Sequence, residues 1–252
     1  MPTTPRRFAG HVSLVTGASS GIGAGVARAL GAEGATVVIA ARRYDRLTQL
    51  ADEIATAGGT ALALELDISD VANAAECIRT ITSRFGRIDS IVNAAGVMLS
   101  ARTADASIAD WQRMFETNVL GLMALTHAAF AVMRTQGSGH VVNISSVSAR
   151  LANAGSPAYA ATKSAVNTFS ESLRKEGTSV GVRVTVVSPG IVETELFDHP
   201  ADAATRARFR QMLDSLTALT PADVAAAVLF ALGQPPHVSI NEIVLRPTEE
   251  ID

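Results

Sequence analysis

Thr16-Gly17-Ala18-Ser19-Ser20-Gly21-Ile22-Gly23 lies between the apolar run Val12-Ser13-Leu14-Val15 and Ala24-Gly25-Val26-Ala27-Arg28-Ala29-Leu30, whose apolar residues recur with a helical period. A strand, a glycine turn and a helix start, in that order, make an anion site. Unpaired N–H groups and the positive end of the helix dipole face the same point. Gly17 permits the tight turn, Gly21 the close approach of a phosphate, and Gly23 the packing of helix on strand. The spacing is G-x-x-x-G-x-G rather than G-x-G-x-x-G. In this strand-to-helix setting the turn reads as the cradle of a nucleotide, with Ser19, Ser20 and Ile22 along it.

Working outward, strands and helices alternate to the end of the chain without repeats or a linker. Strands are expected near His11–Thr16, Thr36–Ala40, Ala61–Glu65, Ser90–Val92, His140–Ile144, Arg183–Val187 and Glu242–Leu245. Helical patterns cover Arg46–Ala57, Val71–Phe85, Ile108–Met133, Ala160–Glu176 and Ala222–Leu232, punctuated by Gly58-Gly59, Gly86 and Gly177. Such alternation predicts one domain over residues 1–252, an α/β doubly wound parallel sheet with helices on both faces. Ligands of open sheets of this kind bind beyond the carboxyl ends of the strands.

Tyr159 and Lys163 stand four apart at a helix start, so they share a face about one turn from each other. An ammonium that close favours the phenolate and is expected to lower the tyrosine's pKa. Such a phenol can protonate a carbonyl oxygen during reduction or take the proton of an alcohol during oxidation. Asn143-Ile144-Ser145-Ser146, an apolar run ending in hydroxyls, can hold the same oxygen.

Seven motifs, taken in order, carry a resemblance to a known family: Thr16–Gly23, Asp67-Ile68, Asn93-Ala94-Ala95-Gly96, Asn118, Ser146, Tyr159 with Lys163, and Pro189-Gly190-Ile191-Val192-Glu193-Thr194. With these the chain resembles the short-chain dehydrogenase/reductases over nearly its whole length. The resemblance implies a Rossmann fold of seven strands in the order 3-2-1-4-5-6-7. It implies that Ser146 rather than Ser145 holds the substrate oxygen, that Tyr159 is the general acid and base, and that Lys163 tunes the phenol and binds the nicotinamide ribose. Asn118 takes the family's fourth catalytic position, interrupting a long helix. Asp67 and Ile68 are implied at the adenine, Asn93, Ala94 and Gly96 on the adenosine side, and Pro189, Gly190, Val192 and Thr194 at the carboxamide and phosphates. Ala94 departs from the family's more usual second Asn. The ending Asn241–Thr248 resembles the subgroup of clavulanic acid dehydrogenase and the NADP-dependent 3-hydroxy acid and serine dehydrogenases.

Cofactor choice falls to Ala41-Arg42-Arg43, at the end of the second strand. An NAD enzyme needs a carboxylate here for the ribose 2′-OH. Two arginines at the positive end of a helix instead predict an anionic partner, the 2′-phosphate of NADP(H), with Arg42 the stronger candidate and Arg43 the second.

Composition agrees with a soluble α/β enzyme. A net charge of −3 with scattered Lys and Arg predicts no nucleic-acid partner. No run reaches the roughly 18 uninterrupted apolar residues of a membrane span, and Arg6-Arg7 is not followed by an export-type apolar segment. The single Cys77 fits a reducing compartment, so a cytoplasmic location is expected. His11, His127, His140, His199 and His237 show no metal-ligand spacing, and no metal is assigned. Surplus small and apolar residues on two long helices (Ala124, Ala128, Ala161, Ala165, Phe169) predict a homodimer or homotetramer.

The expected reaction is NADPH-dependent hydride transfer to or from a small aldehyde or ketone and its alcohol. The alternative is an NADPH-binding sensor on the same fold. The substrate should be bounded by Met98 and Leu99, by 149–155 with Arg150 able to meet an acidic group, and by a lid over 195–219 that carries Phe197, Phe209, Met212 and Leu213. Trp111 is read as packing.

Overall fold

The computed structural model describes residues 6–198 and 203–250; His199 and residues 199–202 of the expected lid lie outside the described residues. Among the described residues one parallel sheet contains β1 (Val12–Thr16), β2 (Thr36–Ala41), β3 (Thr60–Glu65), β4 (Ser90–Asn93), β5 (Gly139–Ile144), β6 (Val182–Pro189) and β7 (Glu242–Leu245). Their order across the sheet is β3-β2-β1-β4-β5-β6-β7, as the resemblance implies. The helices between them are α1 (Gly21–Ala32), α2 (Tyr44–Thr56), α3 (Ala72–Phe85), α4 (Ile108–Phe115), α5 (Leu122–Gln136), α6 (Pro157–Thr178), α7 (Ala203–Asp214) and α8 (Pro221–Leu232).

Successive strand residues point to opposite faces, and both faces here are covered. Val15, Ile39, Val92 and Val142 meet Val26 and Leu30 of α1, Leu47 of α2 and Val228 of α8. Their neighbours Leu14, Val38, Ile91 and Val141 meet Ile78 and Ile81 of α3, Leu125 and Met133 of α5, and Leu173 of α6. This is why the central strands read as unbroken apolar runs rather than alternating ones. Cys77 is a buried packing residue of the second layer.

The long helix expected over Ile108–Met133 is α4 and α5 joined by a π-helical turn, Glu116–Gly121, that contains Asn118. Gly121 of that turn allows close approach: a Cβ there would collide with the Ile68 carbonyl. The rod Ile108–Gln136 is long and apolar enough to cross a membrane by length and composition alone. It buries Leu122, Leu125, Ala129 and Met133 against the sheet and α3, so it is a core helix of this domain.

At the amino end of β5, buried His140 shares a 2.8 Å hydrogen bond between Nε2 and Thr185 Oγ1. Thr185 donates its own proton to the Ile240 carbonyl at 2.5 Å. Nε2 is therefore the donor, and buried Nδ1 is left bare without a partner. Burial pushes His140 from 6.5 down to about 3, with Arg183 adding to the shift. Between those values the unfolded chain binds a proton that the native chain refuses, so stability falls as pH drops through that window. His140→Gln, which cannot titrate, should lose less stability than the wild type between pH 7 and pH 5 in urea unfolding. An equal loss would show that acid sensitivity lies elsewhere.

Candidate active site and cofactor cleft

The turn after β1 lies against the end of β4. Gly17 has φ +65°, and a Cβ on it would sit 2.7 Å from the Ala95 nitrogen. Thr16 Oγ1 accepts hydrogen bonds from the Ala94 and Ala95 N–H groups, at 3.2 and 3.3 Å. Ser20 caps α1 without a side-chain bond, and no acidic residue occupies the first turn. The N-terminal donors of α1 are thus left for a ligand.

A cleft of about 250 Å³ runs along this turn. Gly17, Ser19, Ser20, Gly21, Ile22, Gly23, Arg42, Arg43, Asp67, Ile68, Ala94, Gly96 and Thr194 line it. Arg43 is the more firmly held of the two arginines. It donates to Ser19 Oγ at 3.0–3.1 Å, to Ser20 Oγ at 2.8 Å and to Glu195 Oε2 at 2.8 Å. Arg42 lines the same cleft and acts on Asp67 through its charge. Asp67 Oδ1 accepts from both the N–H and the hydroxyl of Ser69, at 3.0 and 2.6 Å. Two guanidiniums, two hydroxyls and a free helix N-terminus fit a phosphorylated dinucleotide.

Asn93 does not join the cleft. Its side chain is buried beneath the sheet ends, donating to Thr126 Oγ1 at 3.0 Å and Asn143 Oδ1 at 2.8 Å. Asn143 passes the chain on to Ser170 Oγ at 2.8 Å. A short amide on the last residue of β4 points into the layer between sheet and helix, while the following backbone turns to the cleft.

A second cavity of about 510 Å³ continues from the first, sharing Ile22, Thr194 and Leu196 with it. Ser146, Tyr159, Pro189, Gly190, Val192 and Thr194 line it, with Met98 and Leu151 on one side and Leu196, Phe197, Phe209 and Met212 on the other. Phe197 and Phe209 meet with ring centroids 5.2 Å apart. Ser146 Oγ faces Tyr159 and also accepts from the Ser148 N–H at 3.1 Å. Ser145, which also lines the cavity, donates its hydroxyl to the Lys163 carbonyl at 3.4 Å.

Lys163 is buried, and its Nζ donates to the Ile144 carbonyl at 2.9 Å while lying 5.7 Å from the Tyr159 ring centroid. The lowered phenol pKa expected from the sequence is not found in the protein alone. Burial pushes Tyr159 up to about 12, against the opposing hydrogen bond from Ser146. Burial likewise pushes Lys163 down to about 8. Loss of water disfavours both charged forms, and the ammonium is bonded to a carbonyl rather than to the phenol.

Asn118 lies behind both cavities. Its Oδ1 accepts from the Val97 N–H at 2.8 Å, and its Nδ2 donates to the Val97 carbonyl at 2.9 Å and Thr162 Oγ1 at 3.2 Å. It ties the loop after β4 to the helix that carries Tyr159 and Lys163. Arg150 does not line this cavity; it is ion-paired with Glu242 on another face. Leu99, Trp111 and Met114 pack around Val97, Ala158 and Tyr159 instead of lining the cavity. Leu213 does not line it either. Sequence reasoning missed Glu249 and Glu250, which line the cavity and accept from the Thr217 and Ile191 N–H groups at 2.7 and 3.0 Å. It also missed Ser100 and Ser156, while Asn153, inside the expected 149–155, does line the cavity. No spacing signal marks such residues, because the tail reaches the cavity only through the fold. Among the described residues no His, Cys, Asp and Glu cluster could hold a metal.

The pattern of the short chain dehydrogenase family matches residues 11–204. An uncharacterized oxidoreductase of Staphylococcus aureus (strain N315) is 38% identical over 94% of this chain and 96% of its own. The closed form of a serine dehydrogenase complexed with NADP+ superposes with a TM-score of 0.87 at 33% identity, over 93% of this chain and 94% of that one. A metagenomic short-chain oxidoreductase in complex with NADP gives 0.82 at 31% identity, over 97% and 100%. With its fold, glycine turn and Ser146-Tyr159-Lys163 constellation, the chain belongs to the short-chain dehydrogenase/reductase family of oxidoreductases.

Proposed function

We propose that the protein is an NADP(H)-dependent carbonyl reductase and alcohol dehydrogenase, with Tyr159 as its general acid and base. The observation that carries this reading is the junction of the two cavities. The arginine-walled cleft ends where Ser146 and Tyr159 face an apolar pocket. The α1 N-terminus with Ser19 and Ser20 would hold the pyrophosphate, Arg42 and Arg43 the 2′-phosphate, and Tyr159 and Lys163 the ribose beside the nicotinamide. The bound cofactor supplies or accepts the hydride.

Ser146 holds the substrate oxygen and so orients the reacting carbon. Tyr159 gives that oxygen its proton in reduction and takes it back in oxidation. A phenol held up to about 12 is protonated at neutral pH, which suits the reducing direction. Lys163 is the charge that stabilises the phenolate when oxidation demands one. Asn118 positions these groups without touching substrate. Leu196, Phe197, Phe209 and Met212 would form a lid over the pocket within a single domain, and the apolar lining favours small aldehydes, ketones and their alcohols. The buried thiol of Cys77 fits a reducing cytoplasm.

Tyr159→Phe keeps ring and packing but loses the transferable proton. Turnover should fall by about 10²–10⁴-fold while NADPH binding persists. Near wild-type rates in this variant would end the proposed mechanism. Oxidation by the wild type should rise with pH, because only the phenolate accepts a proton, while reduction stays flat across the neutral range. A flat oxidation profile would count against a phenolic base.

For the cofactor, Arg42→Ala and Arg43→Ala should each weaken NADPH far more than NADH in fluorescence titrations, because only NADPH carries the 2′-phosphate. Equal losses for both nucleotides would make these arginines structural.

The α4–α5 rod exposes Phe115, Leu120 and Met123, and α6 exposes Ala161. Of the other residues expected on that face, Ala124, Ala128 and Phe169 are half-buried against the protein's own core. These outward apolar side chains support an isologous homodimer, or a homotetramer built from it. Light scattering at micromolar concentration should give at least a dimer, and Leu120→Glu should shift it toward monomer. A monomeric wild type would reject this assembly.

A further inference from the structure

The cleft proposed for a polyanionic nucleotide is lined by Glu195, a carboxylate that opposes such a ligand. Its placement is specific. Glu195 Oε2 accepts from Arg43 at 2.8 Å, and Oε1 accepts from Arg46 at 2.6 Å. Arg43 at the same time donates to Ser19 and Ser20 of the glycine turn. Its guanidinium therefore bridges the phosphate wall of the cleft to the first residue of the lid segment. The neighbouring Thr194 lies over the same turn, with its methyl 3.1 Å from where a Cβ on Gly21 would be. The other carboxylate in the cleft wall, Asp67, is held by Ser69 and leaves Arg43 alone.

We propose that Glu195 is an anionic placeholder on Arg43 that yields to the 2′-phosphate of NADP(H), so that this carboxylate sets the affinity and release rate of the phosphorylated cofactor. The inference rests on the NADP(H) reading above. Arg43 and Glu195 are 42% and 44% exposed, so water screens their pair and the bond is weak enough to exchange. A phosphate carries more charge and more acceptor oxygens than a carboxylate, and it wins the guanidinium. Arg46 does not line the cleft, so it keeps Glu195 after the exchange and the lid root stays tethered to α2. When the cofactor leaves, the carboxylate returns to Arg43 and competes against rebinding. Arg43 foremost, with Arg46, holds Glu195 down to about 2, so the competitor is charged at every working pH. NADH has no 2′-phosphate and does not enter this exchange.

The test compares NADPH and NADH dissociation rates and affinities, by stopped-flow and equilibrium nucleotide fluorescence, in the wild type and in Glu195→Gln. NADPH should bind tighter and leave more slowly in the variant by about two- to fivefold, the range of one exposed ion pair. NADH should be unchanged. In an Arg43→Ala background the same substitution should have no effect on NADPH. Weaker or unchanged NADPH binding in Glu195→Gln, equal effects on both nucleotides, or an effect that persists without Arg43 would each overturn the proposal. A wild type that binds NADPH but fails these comparisons loses only this inference. A wild type that binds neither nucleotide loses the cofactor reading and this one with it.

Discussion

The ends of β1 and β4 meet at Gly17, and the rest of the site depends on that contact. The chain lays β2 and β3 to one side of β1, then returns to place β4 on the other. Loops leaving β1 and β4 therefore diverge, and a crevice opens between them at the carboxyl edge. For the crevice to have a closed floor, the turn after β1 must touch the backbone after β4. Gly17 allows this because it has no Cβ to strike the Ala95 nitrogen. The Thr16 hydroxyl then satisfies the two N–H groups that the end of β4 leaves open. Any side chain at position 17 would separate these strands' ends and move the α1 N-terminus off the cleft.

A second constraint fixes the groups proposed to react. Tyr159 and Lys163 ride on α6, which is held from two directions. Lys163 Nζ is bonded to the last carbonyl of β5, and Thr162 is bonded to Asn118 in the π-helical turn. A regular helix through Glu116–Gly121 would hold Asn118 in a different register; the π turn brings it to Val97 and Thr162 together. Beneath these lies the chain Asn93–Asn143–Ser170, which joins β4, β5 and α6 by hydrogen bonds in a buried layer. Buried polar groups with good partners resist displacement, because breaking one leaves its mate unsatisfied. The wall that carries Tyr159 and Lys163 is thus held by buried hydrogen bonds, whereas the opposite wall is held by exposed ion pairs and tail carboxylates.

Much of the fold was legible because its signals are local. Glycine turns, apolar runs and helical periods marked six strands within one residue of their observed ends and β6 within two, since it runs on to Pro189. Ser146, Tyr159 and Lys163 were legible from spacing along single elements. What escaped depended on side-chain direction or on distant chain segments. Asn93 sits in a cleft motif, yet its amide turns into the core because strand alternation sends it there. Arg150 lies next to cavity residues but finds Glu242 across an adjacent face. Glu195 bonds to Arg43 and Arg46 about 150 positions earlier, and Glu249 and Glu250 close over turns far upstream. Local pattern carries no record of such meetings.

The titration of Tyr159 and Lys163 shows why spacing alone misjudged the pair. Two groups four apart on a helix were expected to share charge, with the lysine drawing the phenol down. In the folded protein both are stripped of water, and desolvation is the largest influence on each: the phenol rises to about 12 and the amine falls to about 8. At neutral pH the pair by itself is therefore a phenol that keeps its proton beside an amine that keeps most of its own. Adding positive charge to that pocket would favour the phenolate, and adding negative charge would favour the phenol. In the proposed mechanism the oxidised cofactor brings a cationic ring and the reduced cofactor a neutral one. The same buried pair would then lean toward base with the first and acid with the second, the order that a reversible proton transfer at one oxygen requires.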